Sequence, residues 1–134
     1  MIYYIDTGAL IALSDKNDRM HETAKTYFID SVNEGIRYVV GKPVLIEYID
    51  GVTQRIGKKK GIEELKNILS SKIIRIEIET KSDWEKGLEY YNKYKDIDVD
   101  LTDSISFAIM ERLGLKVVFG FDSRFEVHDF ALVP

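Results

Sequence analysis

Ile2-Tyr3-Tyr4-Ile5-Asp6-Thr7-Gly8 opens the chain as an unbroken apolar and aromatic run that stops on a carboxylate and a glycine. A short run with no polar alternation fits a strand buried on both faces. Asp6 then stands just past that strand's carboxyl end. The pattern recurs near the other end of the chain, in Val117-Val118-Phe119-Gly120-Phe121-Asp122. Two more acids lie between, each beside an apolar segment. Glu47 follows Val44-Leu45-Ile46, and Asp103 opens Leu101-Thr102-Asp103-Ser104-Ile105-Ser106-Phe107-Ala108-Ile109-Met110. Carboxylates beside core-forming segments are costly to desolvate unless something cationic meets them. If the fold gathers all four, a hard divalent metal ion is the cheapest partner. Metal-assisted phosphoester chemistry is therefore the leading expectation.

Strand and helix signals alternate along the chain. Strand candidates are 2–5, 37–40, 73–78, 116–121 and 130–133; residues 73–78 read Ile-Ile-Arg-Ile-Glu-Ile. Helical patterns fall at 9–13, 19–34, from Pro43 to about Ile56, and at 62–69, 81–94 and 102–113. Pro43 suits a first helical turn and Gly114 a C-cap. Trp84, Leu88 and Tyr91 mark one side of helix 81–94, and Trp84 reads as core. Gly57-Lys58-Lys59-Lys60-Gly61 reads as a basic turn between helices. Strands separated by helices imply an α/β fold with a mostly parallel sheet covered on both faces. The expected organisation is one domain over 1–134. Ligands of such sheets bind beyond the carboxyl ends of the strands. Asp6 and Asp122 fall there, and Asp103 and Glu47 fall in the first turns of helices.

Each acid also has a plainer reading. Asp6 suits a helix N-cap. Glu47 falls with Asp50, Gly51 and Gln54 opposite the stripe Leu45, Tyr48, Ile49, Val52 and Ile56, where a solvated glutamate is ordinary. Asp103 is favoured by the positive end of its helix dipole, although the same helix end also suits anionic or metal-bound ligands. Asp122 in Phe-Asp-Ser-Arg-Phe suits a turn. Asp96, Asp98 and Asp100 form an acidic run that reads as a solvated loop, with Asp98 or Asp100 as an auxiliary carboxylate in the alternative.

The bulk composition removes other classes. There is no cysteine, so disulfides and thiolate metal sites are excluded. The two histidines, His21 and His128, make a multi-histidine zinc site a poor fit and carry no assigned chemistry. No apolar run approaches the roughly 20 residues of a membrane span, and no signal peptide is legible, so a cytoplasmic protein is expected. A net charge of −4 is unlike a purely electrostatic nucleic-acid binder. Two divalent cations in an acidic pocket would bring that formal charge to zero. Arg55 with Lys58, Lys59 and Lys60 is the one concentrated basic patch, either RNA-facing or simply solvated. The tyrosines suit base stacking or, more commonly, core and interface positions.

Taken in order, the four acidic segments resemble those of the PIN-domain ribonucleases, especially the small VapC-like toxins of prokaryotic toxin–antitoxin pairs. Ile5-Asp6-Thr7 is similar to the family's opening Asp-Thr or Asp-Ser at the end of its first strand. Val44-Leu45-Ile46-Glu47 is similar to its second motif, Leu101 to Phe107 to its third, and Phe121-Asp122-Ser123-Arg124-Phe125 to its fourth. Phe130-Ala131-Leu132-Val133-Pro134 resembles its last strand. One departure is visible: Arg124 stands two places after Asp122, where relatives often carry arginine directly after the aspartate. The resemblance implies a three-layer α/β/α sandwich and a metal-dependent endoribonuclease. Asp6, Glu47, Asp103 and Asp122 would hold one or two Mg²⁺ or Mn²⁺ ions. The hydroxyls of Thr7 and Ser104 would assist, or else serve as helix caps, and Arg124 would be auxiliary. The implied substrate is single-stranded or looped RNA, and the implied partners are a second copy of the chain and an antitoxin protein.

Two rivals come from other classes. A catalytically inactive module of the same shape would bind RNA or protein without cutting. A phosphatase or receiver domain would also use an acidic pocket in a parallel sheet, but it needs a lysine placed after a strand, and Lys42 is the nearest candidate.

Overall fold

The computed structural model describes residues 1–134. Five strands form one sheet: β1 (Ile2–Ile5), β2 (Arg37–Gly41), β3 (Ile74–Glu77), β4 (Val117–Phe119) and β5 (Ala131–Val133). Their order is β3-β2-β1-β4-β5, and every pairing is parallel. Seven helices cover it: α1 (Thr7–Ser14), α2 (His21–Asn33), α3 (Lys42–Arg55), α4 (Lys58–Ser70), α5 (Lys81–Lys93), α6 (Leu101–Leu113) and α7 (Arg124–Val127). The result is a three-layer α/β/α sandwich with a wholly parallel sheet, as expected from the alternating pattern. No helix is long and apolar enough to cross a membrane.

The central strands are buried because both faces carry helices. Tyr4, Ile5, Val39, Val40, Val118 and Phe119 are all at most 1% exposed. Tyr4 brings a hydroxyl into that core, and it shares a 2.8 Å hydrogen bond with Ser106 of α6. This bond ties β1 to α6 three residues beyond Asp103. Burial pushes the Tyr4 hydroxyl far above its usual range, so it stays neutral. Gly41 is obligatory beside it, since a Cβ there would lie 2.4 Å from the Tyr4 hydroxyl oxygen.

Two expectations are corrected. Lys58, Lys59 and Lys60 are the first turn of α4 rather than an interhelical turn. Gly57 alone makes the break, at φ +136°, a conformation that glycine adopts without penalty. Lysines are unfavourable at a helix N-terminus, and Lys60 offsets this by pairing with Glu64 at 3.1 Å and Glu63 at 3.6 Å. The second correction concerns α5. Trp84, Leu88 and Tyr91 are 44%, 42% and 50% exposed, so Trp84 is not core. The face turned to α6 carries Gly87 and Asp83 instead. A Cβ on Gly87 would come 3.2 Å from the Ile105 Cα, so glycine permits the close approach of the two helices. Asp83 is buried because Arg112 of α6 binds it through Nε at 3.0 and 3.1 Å. A small residue and an ion pair, with Tyr90 and Tyr94 packed against the core, define the buried face.

Replacing Tyr4 by Phe leaves the Ser106 hydroxyl buried without its partner. Stability should fall by about 1–2 kcal/mol. Adding Ser106→Ala should cost little more, because no orphaned hydroxyl then remains. Urea unfolding midpoints of the single and double variants measure both steps.

Candidate active site

The site begins where β1 and β4 lie side by side, with Ile5 opposite Phe119. Asp6 is the first residue past β1, and its backbone N–H donates to the Phe119 carbonyl at 3.0 Å. It occupies the N-cap position of α1, yet its side chain makes no capping hydrogen bond. The plain capping explanation for Asp6 therefore fails. Gly120 follows β4 and gives Asp6 room: a Cβ there would stand 3.2 Å from the Asp6 Cβ. Asp122 comes two residues later.

Asp103 reaches the same place from α6. Asp100 is the N-cap of that helix, and the two residues form a reciprocal capping box. The Asp103 N–H donates to Asp100 Oδ1 at 2.8 Å, and the Asp100 N–H donates to Asp103 Oδ2 at 3.2 Å. This fixes the Asp103 carboxylate and leaves its other oxygen for a ligand. The buried Ser104 hydroxyl donates to the Asp100 carbonyl at 2.9 Å, so it secures the helix start. Asp100 was not read as a cap from sequence, although an aspartate three residues before an acid at a helix start is that signal.

Asp6, Asp103 and Asp122 each offer a carboxylate oxygen within 4.8 Å of the others. Glu47 is not in this group. It is exposed on α3, and Thr7 donates to its Oε1 at 2.6 Å. It stands near enough that its charge acts on Asp6. Asp98 is exposed and meets Arg124 instead, through its carbonyl at 3.0 Å.

Arg124 is the one cation placed among these acids. Its backbone N–H donates to Asp122 Oδ1 at 3.0 Å, which is the turn expected of Asp122. Its guanidinium binds Asp122 Oδ2 through both Nε and a terminal nitrogen. The same Nε lies 3.5 Å from Asp103 Oδ2. The titration behaviour divides accordingly. Burial pushes the Asp6 carboxyl up to about 7, helped by the charges of Asp122 and Glu47. Burial also raises Asp103, with Asp100 and Asp6 adding to it. Burial acts on Asp122 in the same sense, but the Arg124 hydrogen bonds outweigh it and hold Asp122 below the usual carboxylate range. Two of the three acids thus resist ionisation, because burial outweighs the positive charge that Arg124 brings them. An all-oxygen donor set of this kind, short of one cation, fits a hard divalent ion.

The comparisons agree with that geometry. The PIN-domain family model matches residues 3–131. The chain belongs to the PIN-domain family. Among curated proteins it is 25% identical over 130 residues to the 23S rRNA-specific endonuclease VapC20 of Mycobacterium tuberculosis, covering 97% of this chain and 96% of that one. The crystal structure of M. tuberculosis VapC20, described as a sarcin–ricin loop cleaving toxin, superposes with a TM-score of 0.88 at 24% identity, over 98% of this chain and 97% of that one. VapBC2 from Rickettsia felis, bound to a fragment of its promoter DNA, gives a TM-score of 0.75 at 15% identity, over 99% and 98% of the two chains.

The raised carboxyls make stability depend on pH. A folded Asp6 near 7 keeps a proton that the unfolded chain, near 3.8, has lost. Stability therefore falls as pH rises from about 4 to about 7, and Asp103 contributes in the same sense. In EDTA, raising the pH from 5 to 8 should cost the wild type more thermal stability than it costs Asp6→Asn. Mn²⁺ should then raise the melting temperature more at pH 8 than at pH 5, because bound cations require ionised ligands. Parallel melting curves for the two proteins across this range would overturn the assignment.

Proposed function

We propose that this PIN domain is a metal-dependent endoribonuclease acting as the toxin of a toxin–antitoxin pair. The observation that carries the reading is the convergence of Asp6, Asp103 and Asp122 within 4.8 Å from three separate segments. In this reading the three carboxylates hold Mg²⁺ or Mn²⁺, and Glu47 joins them directly or through water. A bound divalent ion would supply a Lewis acid that acidifies water and neutralises charge developing on a phosphodiester.

The chain's own residues do the rest. Asp103 is oriented by its capping box, so its free oxygen is presented without rotamer loss. Thr7 immobilises one Glu47 oxygen, and the other stays free to accept a hydrogen bond from water. The Tyr4–Ser106 bond keeps the ends of β1 and α6 in register. A cavity opens beside Glu47 and Arg55, lined also by Thr7 and Thr102, the chain neighbours of Asp6 and Asp103, and in this reading substrate enters from that side.

The substrate in this reading is RNA in a single-stranded or looped segment, where a backbone phosphate can enter a cleft. The sarcin–ricin loop cleavage by VapC20 makes that loop of 23S rRNA the first RNA to test. The VapBC complexes among the structural relatives suggest an antitoxin partner for this chain, and the reading also takes the chain as a cytoplasmic homodimer.

Incubation with 23S rRNA and with an isolated loop oligonucleotide, in Mn²⁺ or in EDTA, tests the proposal by mapped cut sites. Asp6→Asn and Asp103→Asn should each abolish cleavage while preserving the circular dichroism spectrum. Undiminished Mn²⁺-dependent cutting by either variant would falsify the site. Binding without any cutting would favour the inactive-module alternative.

A further inference from the structure

We propose that Arg124 is a displaceable counter-ion: its guanidinium holds Asp122 and Asp103 in the cation-free protein, and an arriving divalent ion drives it off those oxygens toward the RNA phosphate. The inference rests on the metal-site reading above and goes beyond it by assigning Arg124 two alternative partners.

The geometry carries it. Asp122 Oδ2 accepts both Nε and a terminal nitrogen of Arg124, so its two lone-pair directions are taken. Asp122 Oδ1 already accepts the Arg124 backbone N–H at 3.0 Å. The same Nε stands 3.5 Å from Asp103 Oδ2. The guanidinium thus lies against two of the three carboxylates that converge within 4.8 Å. A divalent ion bonded to those oxygens would face a full positive charge a few ångströms away. Cation and guanidinium compete for the same lone pairs and repel each other. The backbone bond to Oδ1 remains as a tether, and the side chain swings by also giving up its terminal-nitrogen bond to the carbonyl of the exposed Asp98, at 3.0 Å. Arg124 is already about one-third exposed, at 32%. A planar fork released at the rim of a nuclease site matches a phosphate diester.

The decisive measurement is the solvent exchange of the Arg124 Nε proton by ¹⁵N NMR, with and without Mg²⁺. It should be protected in the cation-free protein and exchange at least about tenfold faster at saturating Mg²⁺, as expected for loss of a charge-assisted bond. Arg124→Lys keeps the charge but loses the fork. It should bind Mn²⁺ several-fold more tightly than wild type by calorimetry, while its KM for RNA rises. Arg124→Gln should move both quantities in the same directions and further. A purely orienting arginine predicts weaker Mn²⁺ binding in both variants. A purely electrostatic one predicts no change in Arg124→Lys. Persistent Nε protection at saturating Mg²⁺, or unchanged Mn²⁺ affinity in Arg124→Lys, overturns the proposal. If those results come from a protein that still cuts RNA, the nuclease reading survives alone. If no variant or wild type binds Mn²⁺, both fall together.

Discussion

Three ionised carboxylates cannot share a few ångströms of partly buried space without positive charge among them. Two like charges 4 Å apart cost about 4 kcal/mol at an effective dielectric near 20, and burial adds a desolvation cost to each. The architecture around the site answers this constraint in parts. Arg124 neutralises Asp122. The capping box supplies Asp103 with the backbone N–H of Asp100. Asp6 is relieved by the Thr7 backbone N–H and is still raised to about 7, while Asp103 is raised to about 8. Asp6 and Asp103 therefore keep protons to higher pH than ordinary carboxyls, and a divalent ion would supply the positive charge that lets both ionise.

Topology decides why these acids meet. From β1 the chain runs to β2 and β3 on one side, and it returns later to β4 and β5 on the other. The gap between β1 and β4 is the switch point of the sheet, where the connections diverge and leave a crevice at the carboxyl ends. Asp6 and Asp122 close that crevice from the two central strands. Asp103 comes from α6, and the buried Tyr4–Ser106 hydrogen bond locks that helix to β1. Gly41 and Gly120 supply the clearances, one for the Tyr4 hydroxyl and one for the Asp6 side chain. A site tight enough for a small cation depends on contacts that carry no charge of their own.

Much of this was legible in the sequence, for definable reasons. Continuous apolar runs such as Ile2–Ile5 and Val117–Phe119 state that both faces of a strand are covered, so the parallel sheet follows. An acid at the end of such a run is anomalous enough to mark a site. What escaped was decided by packing partners that sequence spacing does not display. Trp84, Leu88 and Tyr91 have the right helical spacing for a core stripe, yet Gly87 and the Asp83–Arg112 pair turn α5 the other way. The lysines at 58–60 read as a loop because they oppose a helix dipole, and Glu63 and Glu64 one turn later remove the objection. Glu47, taken alone, read more readily as solvated than as a ligand. Its exposure and its bond to Thr7 show that the two descriptions are compatible, since an acid at the mouth of a crevice is both wet and near the cluster.

The spacing of Arg124 was a departure from the pattern of relatives, and the structure gives it a physical meaning. An aspartate closes its tightest side-chain turn on the N–H two residues ahead. Placing arginine at that position lets one residue address both oxygens of Asp122, by backbone to Oδ1 and by guanidinium to Oδ2. An arginine directly after the aspartate would not offer that backbone bond. The turn therefore holds when the side chain leaves, and the Asp122 carboxylate keeps its orientation with either cation. That separation of a fixed backbone anchor from a mobile charge would let the protein exchange its own positive charge for a bound one without rebuilding the site.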